Sequence, residues 1–392
     1  GQPLAGVSVH LADSETALTG ADGRFSFQHL SAGSYALRPA LSGYQFQPSE
    51  QLVNLEDGAD EVTFEAAQAD GLFISHIQAI QAVDGEGQLT AGKPTVVRVY
   101  VDCGEGCTEL AGVTGTLRGV SGDGRDLGAL APEPISITAF HEDWTQQQGD
   151  PQRSLNFLLP AEWLSGTLRL TAEVGGTQRE TNLTFAPGIR LRLAWFDLGY
   201  RPAAGAGTPE PTKETLLPER SAAQMAVRDL WDMLPLAPDG LTYVYQPGIL
   251  QTFESTLDCP ALTGGSGCPA VTDYLVTLRL LYERTAREGR WAGGTAPDRL
   301  FAWTHPDTQN DGQCSLADTG WSHGAPLPSV GRVAVGASTC TFNLKTMESG
   351  QTLTREMGHL LNANGLRPAA ANNRLACWWG EAGGTGTLGS WG

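Results

Sequence analysis

Short alternating runs dominate the first half of the chain. Over residues 6–11, 23–27, 33–39 and 61–66, apolar and polar side chains alternate, and each run is bounded by Gly, Asp or Pro. That is the pattern of half-buried strands. His10 and His29 fall in or beside these runs and are expected to face solvent. Residues 96–101, VVRVYV, form a further strand rich in β-branched side chains. Lys93 and Arg98 are expected to meet water or pair at its ends. From residue 188 the texture changes. Eight of the ten Trp lie at or beyond Trp195, and GIRLRLAWFDLGY (188–200) reads as a buried opening strand. Residues 221–234 repeat at helical spacing, with Met225, Leu230 and Met233 expected inward. Residues 243–250 are strand-like, 271–289 carry a second helical pattern with Glu and Arg on one side, and RLFAWT (299–304) is another buried strand. A last helical pattern is TLTREMGHLLNANG (352–365). Leu353, Met357, Leu360 and Leu361 recur at helical spacing, and Asn364-Gly365 supplies a stop.

The polar face of this last helix carries the chemistry. Arg355, Glu356, His359 and Asn362 lie on it, with Gly365 just beyond. These offsets resemble the zincin helix H-E-x-x-H, in which two His one turn apart hold zinc and Glu serves as general base. They also resemble the metzincin extension, which adds a Gly and a third His ligand. On that resemblance Glu356 is a vestigial general base and His359 a vestigial zinc ligand. Arg355 stands in the place of the first His, Asn362 in that of the Gly, and Gly365 in that of the third His. A catalytic zinc needs three protein ligands and an open position. Structural zinc is held by about 10–16 kcal/mol from four ligands, so each supplies on the order of 3 kcal/mol. Losing two weakens binding by about ten thousandfold or more on that scaling. A guanidinium at position 355 further repels a divalent cation.

Resemblances extend along the whole chain. Asp22-Gly23, Phe25, Phe27, Leu30, Gly33 and Tyr35 are similar to the D-G-x-F-x-F…L-x-x-G-x-Y pattern of carboxypeptidase-regulatory-like and collagen-adhesin B-type β-sandwiches, which imply a spacer. The stretch FISHIQAIQAVDGEGQLTAGKPTVVRVYVDC (73–103) resembles the Ig-like segment that precedes secreted bacterial metallopeptidase domains. GRVAVGASTC (331–340) is similar to the edge strand lining a metzincin cleft. CWWGEAGGTGTLGSWG (377–392) resembles the Gly-rich tail that follows the zinc motif. The implied fold is multidomain: two N-terminal β-sandwich (Ig-like) domains, 1–68 and 70–187, followed by an α+β metzincin-like domain, 188–392. No Met follows His359, so the Met-turn of such a domain is either absent or lies past residue 392. The implied function is a secreted or cell-envelope pseudoenzyme that binds protein or peptide. Two alternatives stand beside it: an active zinc endopeptidase with a non-standard ligand set, and a structural subunit of an envelope or surface-layer assembly.

Composition narrows these readings. The formal charge is −18, and only Lys93, Lys213 and Lys345 among the 25 basic residues are Lys. No basic cluster tracks phosphates, which argues against nucleic acid and anionic membrane. No apolar run approaches a membrane span. Since the chain opens at Gly1 inside a strand-like region, a processed or trimmed product is expected.

The seven cysteines fall mostly in local pairs. Cys103 with Cys107, Cys259 with Cys268 and Cys314 with Cys340 are expected disulfides, which fit an oxidising compartment, extracellular or cell envelope. Cys377 is left over. Asp307, Asn310 and Asp311 before Gly312 have the oxygen-rich spacing of a calcium loop but lack its bidentate Glu. A surface loop tied by Cys314 is the preferred reading there. His141, Glu142 and Asp143 form a polar loop cluster whose preferred reading is plain surface. No resident cofactor is expected under the leading reading, zinc under the first alternative, and calcium only if the loop at 307–311 binds it.

Overall fold

In the computed structural model the described residues are 2–11, 15–30, 33–55, 61–81, 89–201, 215–234, 236–247, 251–254, 274, 277–289, 291, 294, 296–306, 315–317, 333–337, 340–342 and 345–347. The protein is mostly β, with several sheets and few helices. It divides into two compact units, one formed by Gly1–Gly188 and one beginning at Ile189.

The first unit opens with β1 (Ser8–Leu11), β2 (Glu15–Leu18), β3 (Gly33–Ala40), β4 (Tyr44–Gln47), β5 (Gln51–Leu55) and β6 (Glu65–Gln68). A four-stranded sheet in the order β2-β1-β3-β5 and the pair β4-β6 share one apolar cluster of Val7, Val9, Leu11, Tyr35, Leu37 and Val53. Phe25 and Phe27 pack against this cluster, as their alternation predicts, but the run 23–27 is not a strand. A turn at Asp22-Gly23 leads into it instead, with Gly23 at φ +72°. The run expected at 61–66 becomes strand only from Glu65.

The second part of this unit contains β7 (Phe73–Ile80), β8 (Leu89–Thr90), β9 (Val96–Asp102), β10 (Glu109–Val113), β11 (Gly115–Ser121), β12 (Asp126–Leu130) and β13 (Ile137–Phe140). The short helix α1 (Trp144–Gln147) follows, then β14 (Ser154–Leu158), β15 (Gly166–Val174) and β16 (Thr177–Ala186). One five-stranded sheet is built around β9, which pairs with β7, β13 and β14. Another runs β12-β11-β15-β16-β8. Both contribute to one core: Val97, Val99 and Val101 of β9 and Phe157 of β14 meet Leu117, Leu168 and Ala172. Burying each such large aliphatic or aromatic side chain contributes about 1.5–3 kcal/mol.

The opposite face of β9 corrects two expectations. Arg98, Tyr100 and Asp102 alternate with the valines, yet they are buried too, as is Lys93. Arg98 is not at a solvated end. Its guanidinium donates to Ser154 Oγ (2.8 Å) and to the carbonyls of Gln148 (2.8 Å) and Asp150 (2.9 Å). The cover over this face comes from α1 and from the first six strands. Ala40, Tyr100 and Trp144 pack together, and the His10 ring meets the edge of Trp144 at 5.3 Å. His10 is therefore half-buried in a junction, whereas His29 is exposed, at φ +62° in a loop.

The second unit contains β17 (Ile189–Asp197), β18 (Gly199–Tyr200), α2 (Arg220–Met225), α3 (Val227–Met233), β19 (Leu236–Tyr245), β20 (Thr252–Phe253) and α4 (Thr277–Glu288). After α4 come β21 (Arg299–Thr304), β22 (Ser315–Ala317), β23 (Val333–Ala337), β24 (Cys340–Phe342) and β25 (Lys345–Met347). The sheet order is β19-β17-β21-β23-β22, parallel except for β22. Near-continuous apolar runs such as LRLAWF and RLFAW are what parallel strands covered on both faces require. One face packs Trp195, Phe301 and Trp303 with Ala223, Ala226 and Leu230 of α2–α3. The other packs Phe196 and Ala302 with Leu278 and Tyr282 of α4.

Three sequence expectations shift in this unit. The strand expected over 243–250 begins earlier, at Leu236. Met225 is not inward: it is 63% exposed. The segment 331–340 is not an edge strand, because β23 within it pairs with β21 on one side and β22 on the other.

Candidate functional site

The expected zinc-motif residues Arg355, Glu356, His359, Asn362 and Gly365 lie outside the described residues, as do Asp307, Asn310 and Asp311 of the calcium-like loop. Cys259, Cys268, Cys314 and Cys377 lie outside them as well. Cys103 and Cys107 are described and form a disulfide with Cα atoms 5.7 Å apart. The polar triplet 141–143 is brought into structural pairings. His141 Nδ1 lies 3.4 Å from Asp102, Glu142 pairs with Arg153 at 2.5 Å, and Asp143 caps α1 through the amides of Thr145 and Gln146. Among the described residues no group of three or more His, Cys, Asp or Glu is placed to hold a metal ion.

The structure does gather polar chemistry at the carboxyl ends of the parallel strands in the second unit. β17 is followed in sequence by its neighbour on one side, β19, and then by its neighbour on the other, β21. Such a reversal of strand order leaves a crevice beyond the strand ends, the usual ligand position in open α/β sheets. Asp197 is the last residue of β17, beside Trp303 of β21, and only 3% exposed. Its Oδ2 accepts from Arg220 Nε at 2.6 Å and from the Tyr245 hydroxyl at 3.1 Å. Arg220 Nη2 donates to that hydroxyl at 2.8 Å, and the guanidinium lies 4.9 Å above the Tyr245 ring. Among the described residues Asp197 Oδ1 is buried without a hydrogen-bond partner. The hydrogen bond and charge of Asp197 raise the pKa of Arg220, and burial, followed by Asp197, raises that of the Tyr245 phenol.

Next to this triad the same face becomes aromatic. Tyr243 stacks on Trp195 at 5.4 Å, accepts from Trp303 Nε1 at 2.8 Å and donates to the Ala223 carbonyl at 3.0 Å. Burial holds its phenol well above the ordinary range. A surface hollow of about 540 Å³ opens beside it, lined by Val227, Arg228, Trp231, Leu241 and Tyr243. This set offers apolar and aromatic surface together with the Arg228 cation. The buried carboxylate is held by a cation and a phenol through Oδ2. Sequence reading passed over Asp197, Arg220 and Tyr245. The available signal was the Asp closing the apolar run LAWF, since a charge buried there requires a partner.

No family model matches the chain, and no curated protein matches it. Among solved structures it is similar to a carbohydrate acetylesterase from Xanthomonas citri, at 8% identity over 58% of this chain and 51% of that one, with a TM-score of 0.16. It is also similar to domains 4 and 5 of the S-layer protein SbsC, at 12% identity over 46% of this chain and 97% of that one, with a TM-score of 0.15. The chain spans about half the length of the acetylesterase. Likenesses at these scores carry no argument about fold or activity. No helix among the described residues is long and apolar enough to cross a membrane.

Proposed function

We propose that the protein is a secreted or cell-envelope binding protein built on a metallopeptidase-like frame that does not hydrolyse peptides. The observation that carries this reading is the replacement at the zinc motif, where Arg355 and Gly365 stand in place of two of the three His ligands. One imidazole with a neighbouring guanidinium does not fit a catalytic zinc, which needs three donors and an open position. Without such an ion Glu356 has no bound water to activate. The hollow beside Trp231 and Tyr243 would take an apolar or aromatic side chain of a protein or peptide partner.

Metal analysis of the purified protein, together with a casein-cleavage assay, tests the reading. The expected result is zinc well below one equivalent and no cleavage. Stoichiometric zinc with chelator-sensitive proteolysis overturns it.

A further inference from the structure

The first unit brings three of the seven histidines, His10, His76 and His141, to the junction between its first six strands and the sheet around β9. His76, on β7, is 6% exposed and lies 4.4 Å from the Trp144 ring and 6.1 Å from that of Tyr100. At the other end of the junction Asp102 ties the two parts together directly. Its carboxylate accepts from the Gly43 amide of the first part at 2.7 Å and from the Gly104 amide of its own at 2.8 Å. The fit at Gly43 is close. Its φ is +76°, and a Cβ there would meet His141 Cε1 at 2.9 Å.

Charged groups reach the neighbourhood of His76 from each surrounding strand. Arg38 on β3 is paired with Glu50 at 2.6 Å. Arg179 on β16 donates to the carbonyls of Ile74 and Ser75, at the bulge in β7 between Ile74 and His76. His10 comes from β1, and Arg98 and Asp102 from β9; the residues of α1 carry no charge. The carboxylates here are already engaged, Glu50 by Arg38 and Asp102 by the two amides and His141. A proton added to His76 would sit among cations in a buried interface.

We propose that this junction is an acid-sensitive latch, closed while His76 is neutral and released when it takes up a proton. Burial, then the charges of Arg179, Arg38 and His10, hold the His76 imidazole well below the ordinary range. Separation removes the charges of Arg38 and His10 and part of the burial, so the imidazole of the separated state protonates closer to the usual value of about 6.5. The separated state therefore binds the proton first. Lowering the pH through that value favours separation by up to about tenfold per pH unit, until the lowered value of the closed junction is reached. Asp102 works in the other direction. Burial raises its pKa, so its protonation favours the closed form and cannot cause opening.

Hydrogen exchange followed by mass spectrometry on the full chain reads the latch. The segment 41–47 contains the Gly43 amide, and 97–101 in the sandwich core serves as reference. After correction for the intrinsic pH dependence of exchange, protection of 41–47 should fall by up to about tenfold per unit between pH 6.5 and 5, with 97–101 unchanged. His76→Phe keeps a ring against Trp144 and His76→Gln keeps a polar group, and both should make the protection of 41–47 independent of pH. A flat wild-type profile, or the same fall in the folded variants, overturns the proposal. Should both variants lose protection at 97–101, NMR titration of the His76 ring in the wild-type protein decides. A ring that titrates without a concurrent change at 41–47 also overturns it.

Discussion

Strands β9 and β21 are each buried on both faces, but by different means. β21 carries Leu300, Phe301, Ala302 and Trp303, all at 0% exposure, between the helices of its own unit. Both of its faces are apolar and are held chiefly by close packing, with Trp303 Nε1 also donating to the Tyr243 hydroxyl. β9 instead sets Val97, Val99 and Val101 against Arg98, Tyr100 and Asp102. Its polar face is closed by a neighbouring set of strands and by α1, and every group there needs a hydrogen-bond partner as well as a neighbour. An apolar face that loses an atom loses contact energy over a small area. A polar face that loses a partner leaves a donor or acceptor stranded.

The largest effect is expected on the closely packed apolar strand. Trp303→Ala removes a side chain at 0% exposure that lies 4.6 Å from the Phe301 ring and donates to Tyr243. A cost of about 3–5 kcal/mol is expected, read as lost exchange protection in β17 and β21 under increasing urea. A cost below about 1 kcal/mol would show that this face is not the tightly filled one described above.

On the polar face the corresponding change is Asp102→Ala. It strands the amides of Gly43 and Gly104 and is expected to cost about 2–3 kcal/mol. Loss of protection should concentrate in 41–47 and leave β21 untouched. Asp102→Asn keeps one acceptor and should cost about half as much. If protection at 41–47 survives the alanine, the junction rests on Ala40, Tyr100 and Trp144 rather than on the carboxylate.

The same contrast explains what was legible in the sequence. RLFAWT reads as a buried strand because each of its faces states its own burial, and the structure places β21 on those six residues. VVRVYV reads as a strand with Arg98 meeting water or a partner at its end, since alternation reports which side chains differ and not what covers them. Cover supplied from residues 8–40 and from Trp144 is a long-range fact that no local window holds. The disulfide between Cys103 and Cys107 was readable because its partners are four residues apart. The Asp197–Arg220–Tyr245 triad was not, because its members are 23 and 25 residues apart and meet only once parallel strands align their ends.

Helices α2 and α3 pose the question of cover at the smallest scale. Helical spacing through 221–234 permits more than one inward stripe, and a stripe through Met225 is the hydrophobic choice. The structure keeps Leu230 inward, as expected, but sets beside it Ala223, Ala226 and Leu234, all buried, with Tyr243 donating to the Ala223 carbonyl. Two alanines let the helix backbone come close to the sheet, where a methionine would hold it off. Met225, two residues from Ala223, is turned to the other side of a helix that advances about 100° per residue. Met225→Gln should therefore change stability by no more than about 0.5 kcal/mol, measured as the shift of the urea transition in α3 amides. A loss above about 1.5 kcal/mol would mean that Met225 is covered in solution, as the outer face of β9 is.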